Sequence, residues 1–425
     1  MLTTLTNIKN KISDGSYDSL FKSLYDNVDS QKKRYLEAVS EFEKIFEGTD
    51  CCILSVPGRT EVAGNHTDHQ RGAVLAASVS LDAIAIVSKR NDKKVHLRSK
   101  GYDKIFEIDL SDLSIHENEK ETTESLIRGM AAGFVQKGYD IGGFDAYVQS
   151  DVLSGSGLSS SACFEVLIGT IFSYIYNNNS VEAYKIAMLG QYAENEYFGK
   201  PCGLMDQMAY AIGGLIKIDF KDKETPDFGK IPFEPEKEGY RLCIVDTGGS
   251  HADLSDDYAS VPADMKAVAK LLGYEVLRQG SEEELYANAV KIRNTLGDRA
   301  LLRAFHFYKE MERVNNQREF LENNDFEGFL SIVNKAGESA VIYNQNAYTC
   351  KKPDEQGIVV GLMLCNAILQ NKGAYRLQGG GFAGTIQAYV PAEILDEFTQ
   401  KVEAVFGKGS VYALKVRQCG AAFLA

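Results

Sequence analysis

A glycine- and serine-rich segment at residues 151–162, DVLSGSGLSSSA, combines residue types that suit an anion-binding site. The segment before it, residues 143–150, is typical of a strand, and an apolar run typical of a helix follows as far as Tyr176. Glycines let the backbone approach a phosphate closely, and the free amides at a helix start point at the anion with the positive end of the helix dipole. The segment therefore predicts a phosphate-binding loop, with an ordinary serine-capped turn as the alternative.

Neither of two standard nucleotide-binding loops fits this segment. A Walker A loop needs Gly-Lys-Ser/Thr, and no lysine occurs between Lys137 and Lys185. A dinucleotide fingerprint needs a third glycine and an acidic residue about twenty positions further on. Here Ser160 follows Gly155 and Gly157, and the later position falls in the neutral stretch FSYIYNN. The sequence excludes both standard loops.

Residues 57–72, PGRTEVAGNHTDHQRG, place many polar side chains directly after a buried strand. They are Arg59, Glu61, Asn65, His66, Asp68, His69, Gln70 and Arg71. Such groups are costly to bury unless they bind a ligand or one another. A polyol such as a sugar suits them best, because Asp, Asn and His offer acceptors and donors to neighbouring hydroxyls. Metal ligation by His66, Asp68 and His69 and a polar turn with internal hydrogen bonds are the alternatives.

Two later segments could place further groups beside a ligand. In residues 194–207, ENEYFGKPCGLMDQ, we expect a helix to end and a constrained loop to carry Asp206 as a helix cap or a catalytic group. Glu194 is expected on the inner face of that helix. In residues 376–384, RLQGGGFAG, three glycines between a strand and a helix permit close backbone approach to a ligand or to the phosphate loop. A flexible turn is the alternative.

The elements that must position these segments are typical of an α+β fold. Amphipathic helices are expected over residues 1–48, a buried strand over 51–56 that stops at Pro57-Gly58, and one or two strands over 72–88. Strands with segregated helices favour α+β over a repeating βαβ arrangement. The most polar and proline-rich stretch, residues 220–238, predicts a boundary between an N-terminal domain (1–220) and a C-terminal domain (221–425).

Composition narrows the partners that this chain is expected to have. Its 425 residues carry a formal net charge of −13, and such an acidic balance argues against a nucleic-acid partner. No apolar run is long enough to span a bilayer, and the polar N-terminus has no signal core. The eight cysteines show no C-x-x-C pair, which favours reduced thiols. We expect a cytoplasmic protein, a monomer or weak homo-oligomer, with no membrane partner.

Taken in order along the chain, these segments resemble a known family. PGR…GNHTDHQ, DVLSGSGLSSSA, CGLMDQ and LQGGGFAG are similar to the three signature motifs and the catalytic-aspartate segment of the galactokinase branch of the GHMP small-molecule kinases. The resemblance runs from about residue 51 to about residue 390. It implies a two-domain GHMP kinase fold, with an N-terminal ribosomal-protein-S5-domain-2-like domain, a C-terminal ferredoxin-like α+β domain and an active site in the cleft between them.

The resemblance also implies a reaction and its residues. ATP, with Mg²⁺, would phosphorylate the anomeric hydroxyl of galactose. Asp206 resembles the aspartate that positions or deprotonates that hydroxyl, and Arg59 the arginine that stabilises charge beside it and lowers the pKa of Asp206. Ser161 and Glu194 resemble the Mg²⁺ ligands. The implied sugar contacts are Arg59, Asn65, His66, Asp68, Asp206 and Tyr258. The implied ATP contacts are Gly155, Ser156, Gly157, Leu158, Ser159, Ser160 and Ser161.

The chain departs from the family pattern at several positions. Asn65 stands where galactokinases usually have Glu, and His69 where they usually have Tyr. The glutamate position normally contacts the C6 hydroxyl of the sugar, and an amide there adds a donor and removes a charge. Such a change could admit a C6 carboxylate, as in galacturonate, or a sugar that lacks C6, as in arabinose, or it could bind galactose slightly differently. N-acetylgalactosamine is a further alternative sugar for the same chemistry. Leu153 replaces a loop proline, and the usual arginines after Tyr258 are absent. A non-catalytic sugar sensor is a further alternative, which the presence of the phosphate-loop serines and of the Arg59 and Asp206 pair disfavours.

Overall fold

The computed structural model describes residues 2–48, 50–152, 160–200, 202–222, 225–249 and 254–424. Within these ranges the strands are β1 (Thr3–Thr4), β2 (Asp50–Ala63), β3 (Ala73–Lys89), β4 (Lys94–Ser99), β5 (Ile105–Asp109), β6 (Phe144–Ser150), β7 (Leu215–Asp219), β8 (Asp227–Ile231), β9 (Tyr240–Asp246), β10 (Ala374–Leu377), β11 (Thr385–Pro391), β12 (Val411–Leu414) and β13 (Ala422–Leu424). The helices are α1 (Leu5–Ser13), α2 (Asp18–Leu24), α3 (Val28–Ile45), α4 (Thr123–Gln136), α5 (Ser160–Tyr176), α6 (Ala183–Tyr192), α7 (Met205–Ile212), α8 (Ser255–Leu271), α9 (Glu282–Ala287), α10 (Ala289–Leu296), α11 (Asp298–Glu322), α12 (Phe326–Ser339), α13 (Gly357–Leu369) and α14 (Leu395–Phe406). This mixture of sheets and helices confirms the α+β prediction.

The first sheet is built around the long antiparallel pair β2 and β3. Its strands follow the order β1-β2-β3-β6-β4-β5, with β13 also on β2 and β7 also on β3. The prediction that the strand stops at Pro57-Gly58 is wrong, since β2 continues to Ala63. Pro57 stays in register opposite Asp82, the register shifts between Pro57 and Gly58, and pairing continues beyond this bulge. As a result, Arg59 and Glu61 lie on a strand.

The second sheet has the order β10-β11-β9-β12, and each of these pairs is antiparallel. Its central strands are apolar and β-branched, which suits a sheet buried on both faces. Cys243, Val245, Ile386 and Ala388 belong to the core on one face together with apolar residues of α13 and α14. This sheet holds the glycine-rich segment 378–384 at the end of β10.

The first sheet contains strands from both sides of residue 220. β8 pairs antiparallel with β7, and β13 pairs antiparallel with β2. A strand over 227–231 was not expected, because the sequence DFGKI is short, polar and interrupted by glycine. The division into residues 1–220 and 221–425 stays a prediction.

Helices cover the first sheet on two faces and place the candidate residues at its end. Helices α4 to α7 share one apolar core with β2, β3 and β6, in which Phe134, Val166 and Phe172 are buried. Helices α1 to α3 form another core against the opposite face through residues such as Phe21 and Tyr35. The remaining part of β2 and β3 packs on α11, α12 and the second sheet. The end of β2 thus meets α7, α8 and the β10–β11 connection.

The described ranges contain no helix that is both long and apolar enough to cross a membrane. All eight cysteines are free thiols, and five of them are buried.

Candidate active site

A cavity of about 360 Å³ lies where β2, α7, α8 and the connection between β10 and β11 meet. It is lined by Arg59, Glu61, His66, Asp68, His69, Glu194, Lys200, Cys202, Gly203, Met205, Asp206, Gln207, Tyr258, Pro262, Gly379 and Gly380. Three segments that the sequence singled out separately, 57–72, 194–207 and 376–384, therefore converge on one space. Tyr258, from the start of α8, joins them.

Arg59 and Asp206 form a bidentate ion pair at the wall of this cavity. Arg59 Nε lies 2.7 Å from Asp206 Oδ1, and Nη2 lies 2.8 Å from Oδ2, the strong fork geometry of a guanidinium on a carboxylate. The Arg59 side chain is 5% exposed and that of Asp206 is 21% exposed. Burial lowers the pKa of Arg59, but the Asp206 charge outweighs it, so the pKa is raised. The pair holds a carboxylate at the cavity beside a permanent cation.

Asp206 lies in the first turn of α7, and the prediction that a loop carries it is wrong. Gly203 precedes the helix, and a Cβ added there would lie 2.4 Å from Asp68 Oδ2, so the glycine allows this chain segment to approach the Asp68 carboxylate. Asp68 itself begins a short 3₁₀ turn, and burial raises its pKa. A helix N-terminus stabilises a carboxylate in its first turn, which favours the ionised form of Asp206.

The loop that carries His66 is fixed from α11. The His306 ring donates from Nε2 to the Asn65 carbonyl at 3.0 Å, and the Gly64 amide donates to Glu310 Oε1 at 3.1 Å. His66 takes a left-handed φ of 59° and donates from Nε2 to the Gly380 carbonyl at 3.0 Å. Burial lowers the pKa of His66 to about 4, so its imidazole is neutral at neutral pH.

The segment 378–384 joins two strands, β10 and β11, so its placement between a strand and a helix is wrong. The Tyr258 hydroxyl donates to the Gly381 carbonyl at 2.9 Å. A Cβ on Gly380 would lie 2.4 Å from Tyr258 Cε1, so the close approach that the glycines permit is to this ring. The segment thereby fixes Tyr258 at the cavity.

Asn65 lies behind the cavity wall. It is 1% exposed and is absent from the residues that line the cavity. Its Nδ2 donates to Glu61 Oε1 at 3.0 Å and to the Gly379 carbonyl at 2.7 Å. Its Oδ1 accepts from the amides of Asn344 and Asn346. The expected contact of Asn65 with a sugar hydroxyl stays a prediction that these bonds do not support.

The side chains of Ser161, in the first turn of α5, and Glu194 bring together two oxygen atoms that could bind a hard cation. The Ser161 hydroxyl donates to Glu194 Oε1 at 2.9 Å, and Glu194 is 1% exposed in the π-helical turn Ala193–Phe198. Hydroxyl and carboxylate oxygens are ligands of Mg²⁺, which keeps several other positions for water and phosphate. The pair therefore fits such an ion. Among the described residues, no group of three His, Cys, Asp or Glu side chains is arranged to hold a metal.

Most of the predicted phosphate loop falls outside the described residues. This applies to Gly155, Ser156, Gly157, Leu158 and Ser159. Ser160 and Ser161 begin α5, as a strand–loop–helix arrangement requires. Lys200 Nζ lies 3.6 Å from Glu194 Oε1 and brings a cation to the same end of the cavity.

Sequence reasoning gave no role to three side chains at this site. Glu61 follows Arg59 by two positions on β2, and strand alternation could have placed it on the same face. Gln207 donates from Nε2 to Glu194 Oε2 and to Glu165 Oε2, at 3.0 Å each. Glu165 lies one turn after Ser161 on α5, and burial raises its pKa, helped by the charge of Glu194.

Two family models match the chain. The model described as the GHMP kinases N terminal domain matches residues 125–214. The model described as the galactokinase galactose-binding signature matches residues 40–89. The second match includes Arg59, His66 and Asp68, which line the cavity.

Individual proteins are similar over most of the chain. The galactokinase of Streptomyces coelicolor is 30% identical over 376 residues, which are 88% of this chain and 94% of the relative. The galactokinase of Clostridium tetani is 29% identical over 378 residues, 88% of this chain and 92% of the relative. A crystal structure of Lactococcus lactis galactokinase complexed with galactose aligns with a TM-score of 0.77 at 24% identity, covering 91% of this chain and 99% of the other. A crystal structure of mevalonate kinase aligns with a TM-score of 0.61 at 16% identity, covering 85% of this chain and 98% of the other.

Proposed function

We infer the activity of this chain from its family: it belongs to the galactokinase family of GHMP kinases, and it phosphorylates the anomeric C1 hydroxyl of galactose with ATP. The products are galactose 1-phosphate and ADP. The observation that carries this conclusion is the bidentate Arg59–Asp206 pair on the wall of a cavity that the galactose-binding signature also lines. A sugar kinase needs a base and a cation at one point, and this pair supplies both.

We propose that Asp206 is the base. Its carboxylate would accept the proton of the C1 hydroxyl while that oxygen forms a bond to the γ-phosphorus and the bond from phosphorus to the β-phosphate oxygen breaks. Arg59 would keep Asp206 ionised and would stabilise the negative charge that develops on the attacking oxygen. Because phosphoryl transfer depends on positioning and electrostatics, a rigid pair of this kind is sufficient protein machinery.

We propose that His66, Asp68 and Tyr258 bind hydroxyls of the sugar. All three line the cavity with Asp206. A neutral imidazole offers one donor and one acceptor, a carboxylate offers acceptors, and a phenol offers both, which matches the mixed demands of a polyol.

We propose that Ser161 and Glu194 hold Mg²⁺ and that residues 155–161 contact the ATP phosphates. Support comes from the 2.9 Å approach of the Ser161 hydroxyl to Glu194 and from the position of Ser161 in the first turn of α5. The ion supplies neutralisation of phosphate charge. The Gln207 side-chain amide donates to Glu194, and Gln207 directly follows the proposed base Asp206 in the chain. Gln207 thus links the proposed ion ligand to the helix that carries the base.

The described cavity wall disfavours galacturonate. Its cationic side chains are Arg59 and Lys200, and each lies beside a carboxylate, Asp206 and Glu194 respectively. Within the described residues, the wall therefore offers no separate cation for a C6 carboxylate. A neutral sugar fits this arrangement better.

We also propose a division into two domains near residue 220, a cytoplasmic location, and a monomer or weak homo-oligomer. The location is supported by the use of ATP and by eight free thiols, which suit a reducing compartment.

The test is ADP release by the purified protein with Mg²⁺-ATP and galactose, galacturonate, arabinose, N-acetylgalactosamine or glucose. We expect turnover on galactose. Preference for another sugar would keep the mechanism and change the substrate. Binding of sugar and ATP without turnover on any of the five would indicate the non-catalytic sensor.

A further inference from the structure

Glu61 is an acidic side chain on the cavity wall to which the mechanism assigns no role. It is 4% exposed, and it lies on β2 two residues after Arg59. Both side chains line the cavity, as the alternation of a strand requires. Residues i and i+2 of a strand are about 6.6 Å apart. Glu61 therefore faces a different part of a bound sugar from the Arg59–Asp206 pair.

One carboxylate oxygen of Glu61 is held by the protein and the other faces the cavity. Oε1 accepts from Asn65 Nδ2 at 3.0 Å and from Arg376 Nη2. Oε2 accepts a hydrogen bond from no side chain or amide in the part of the chain that the structure describes. Oε2 is not among the buried side-chain atoms that lack a partner, so it is open to the cavity and takes its donor from solvent or from a ligand. A hydroxyl of the ligand would supply that donor.

Asn65 has no capacity left for the same task. Its two amide protons are used by Glu61 and the Gly379 carbonyl, and its oxygen accepts from Asn344 and Asn346. These bonds instead fix Asn65 against Glu61. Arg376, which is fully buried, donates to the same Glu61 oxygen. The Glu61 carboxylate is thus oriented before a ligand enters.

We propose that Glu61 is a sugar-binding residue that accepts a hydrogen bond from one non-anomeric hydroxyl, and that Asn65 is the residue that positions it. The inference rests on the proposed function, since it concerns the acceptor sugar of that reaction. It also sets the class of substrate: a carboxylate at this point favours a neutral sugar with a hydroxyl there and repels a sugar acid.

The test uses Glu61→Gln with galactose and its 2-, 3-, 4- and 6-deoxy derivatives. The glutamine keeps an oxygen for Asn65 and Arg376 but removes the charge. We expect KM for galactose to rise about 10- to 100-fold, the effect of losing a charged hydrogen bond, with a much smaller change in kcat. One deoxy sugar should have the same KM with the wild type and with Glu61→Gln, since it lacks the hydroxyl that Glu61 binds.

A uniform loss across all five sugars would overturn the assignment. Glu119→Gln is the matched control, because Glu119 is a carboxylate bound by Arg128 at 2.8 Å outside the cavity and should leave KM unchanged. Calorimetric binding of the same sugars gives the comparison without turnover. If binding depends on the sugar in this way but no sugar is turned over, the proposed function is refuted and this inference stands. If galactose is turned over but the variant loses affinity equally for all five sugars, this inference is refuted and the proposed function stands.

The positioning role of Asn65 is tested in combination. Asn65→Ala, or Asn65→Ser if the first variant does not fold, should raise KM with little change in kcat. The double variant should have a KM less than about twofold above that of Glu61→Gln alone, because Asn65 acts through Glu61. Additive effects on KM would overturn the positioning role.

Discussion

Replacing Asp206 by asparagine removes the proposed base while keeping its shape. The asparagine could accept one bond from Arg59 but could not take a proton, so kcat should fall about 10²- to 10⁴-fold. One of the two contacts at 2.7 and 2.8 Å would be lost, and Arg59, 5% exposed, would keep a less compensated charge. The free energy of unfolding should fall by about 1–3 kcal/mol. KM for galactose should change far less than kcat.

The assay is ADP release at saturating Mg²⁺-ATP, with galactose binding by calorimetry and stability by urea denaturation. Asp219→Asn is the matched control. Asp219 pairs with Arg278 at 3.0 Å and is 19% exposed, close to the 21% of Asp206, but it lies outside the cavity. This control should show a similar or smaller loss of stability and a kcat equal to that of the wild type.

A kcat for Asp206→Asn within tenfold of the wild type would refute the assignment of Asp206 as the base. Equal losses of kcat in both variants would show that the effect comes from stability and not from chemistry.

Three further changes test other parts of the site. Glu194→Gln replaces the carboxylate of the proposed Mg²⁺ ligand by an amide, so the Mg²⁺ concentration for half-maximal rate should rise more than KM for galactose, as a Mg²⁺ titration would show. Burial raises the pKa of Glu61 to about 7, and the charge of Glu310 adds to this increase, although the charges of Arg376 and Arg59 lower the pKa. Since the ionised form accepts the hydroxyl, kcat/KM should rise with pH through this value, and Glu61→Gln should flatten that step. Burial also lowers the pKa of His306 to about 4, so the unfolded chain binds more protons between this value and the usual value of 6.5. The free energy of unfolding, measured by urea denaturation, should therefore fall as pH drops through that window. The fall should be smaller in His306→Gln, and a fall of equal size in that variant would contradict the assignment to His306.

Local sequence patterns predicted the elements whose periodicity is decided by their own residues. The N-terminal helices and the long apolar strand β3 are confirmed, because amphipathic spacing and a β-branched run each favour one structure strongly. The end of β2 was predicted wrongly because Pro57 stays in register opposite Asp82, and the strand continues beyond the bulge that follows it. β8 was not predicted at all, since its pairing with β7 and not its composition makes it a strand.

The sequence by itself determined the family and therefore the reaction, because the motifs around Arg59, Asp206 and Ser161 are contiguous segments in a fixed order. Tertiary structure alone decided which side chain of the sugar motif reaches the cavity. Asn65 is held by Asn344 and Asn346, and Glu61 by Arg376, partners roughly 280 to 315 positions away along the chain. Hydrogen bonds over such separations leave no periodicity or spacing in the sequence, so only the folded chain shows that Asn65 is saturated and that Glu61 keeps an oxygen for a ligand.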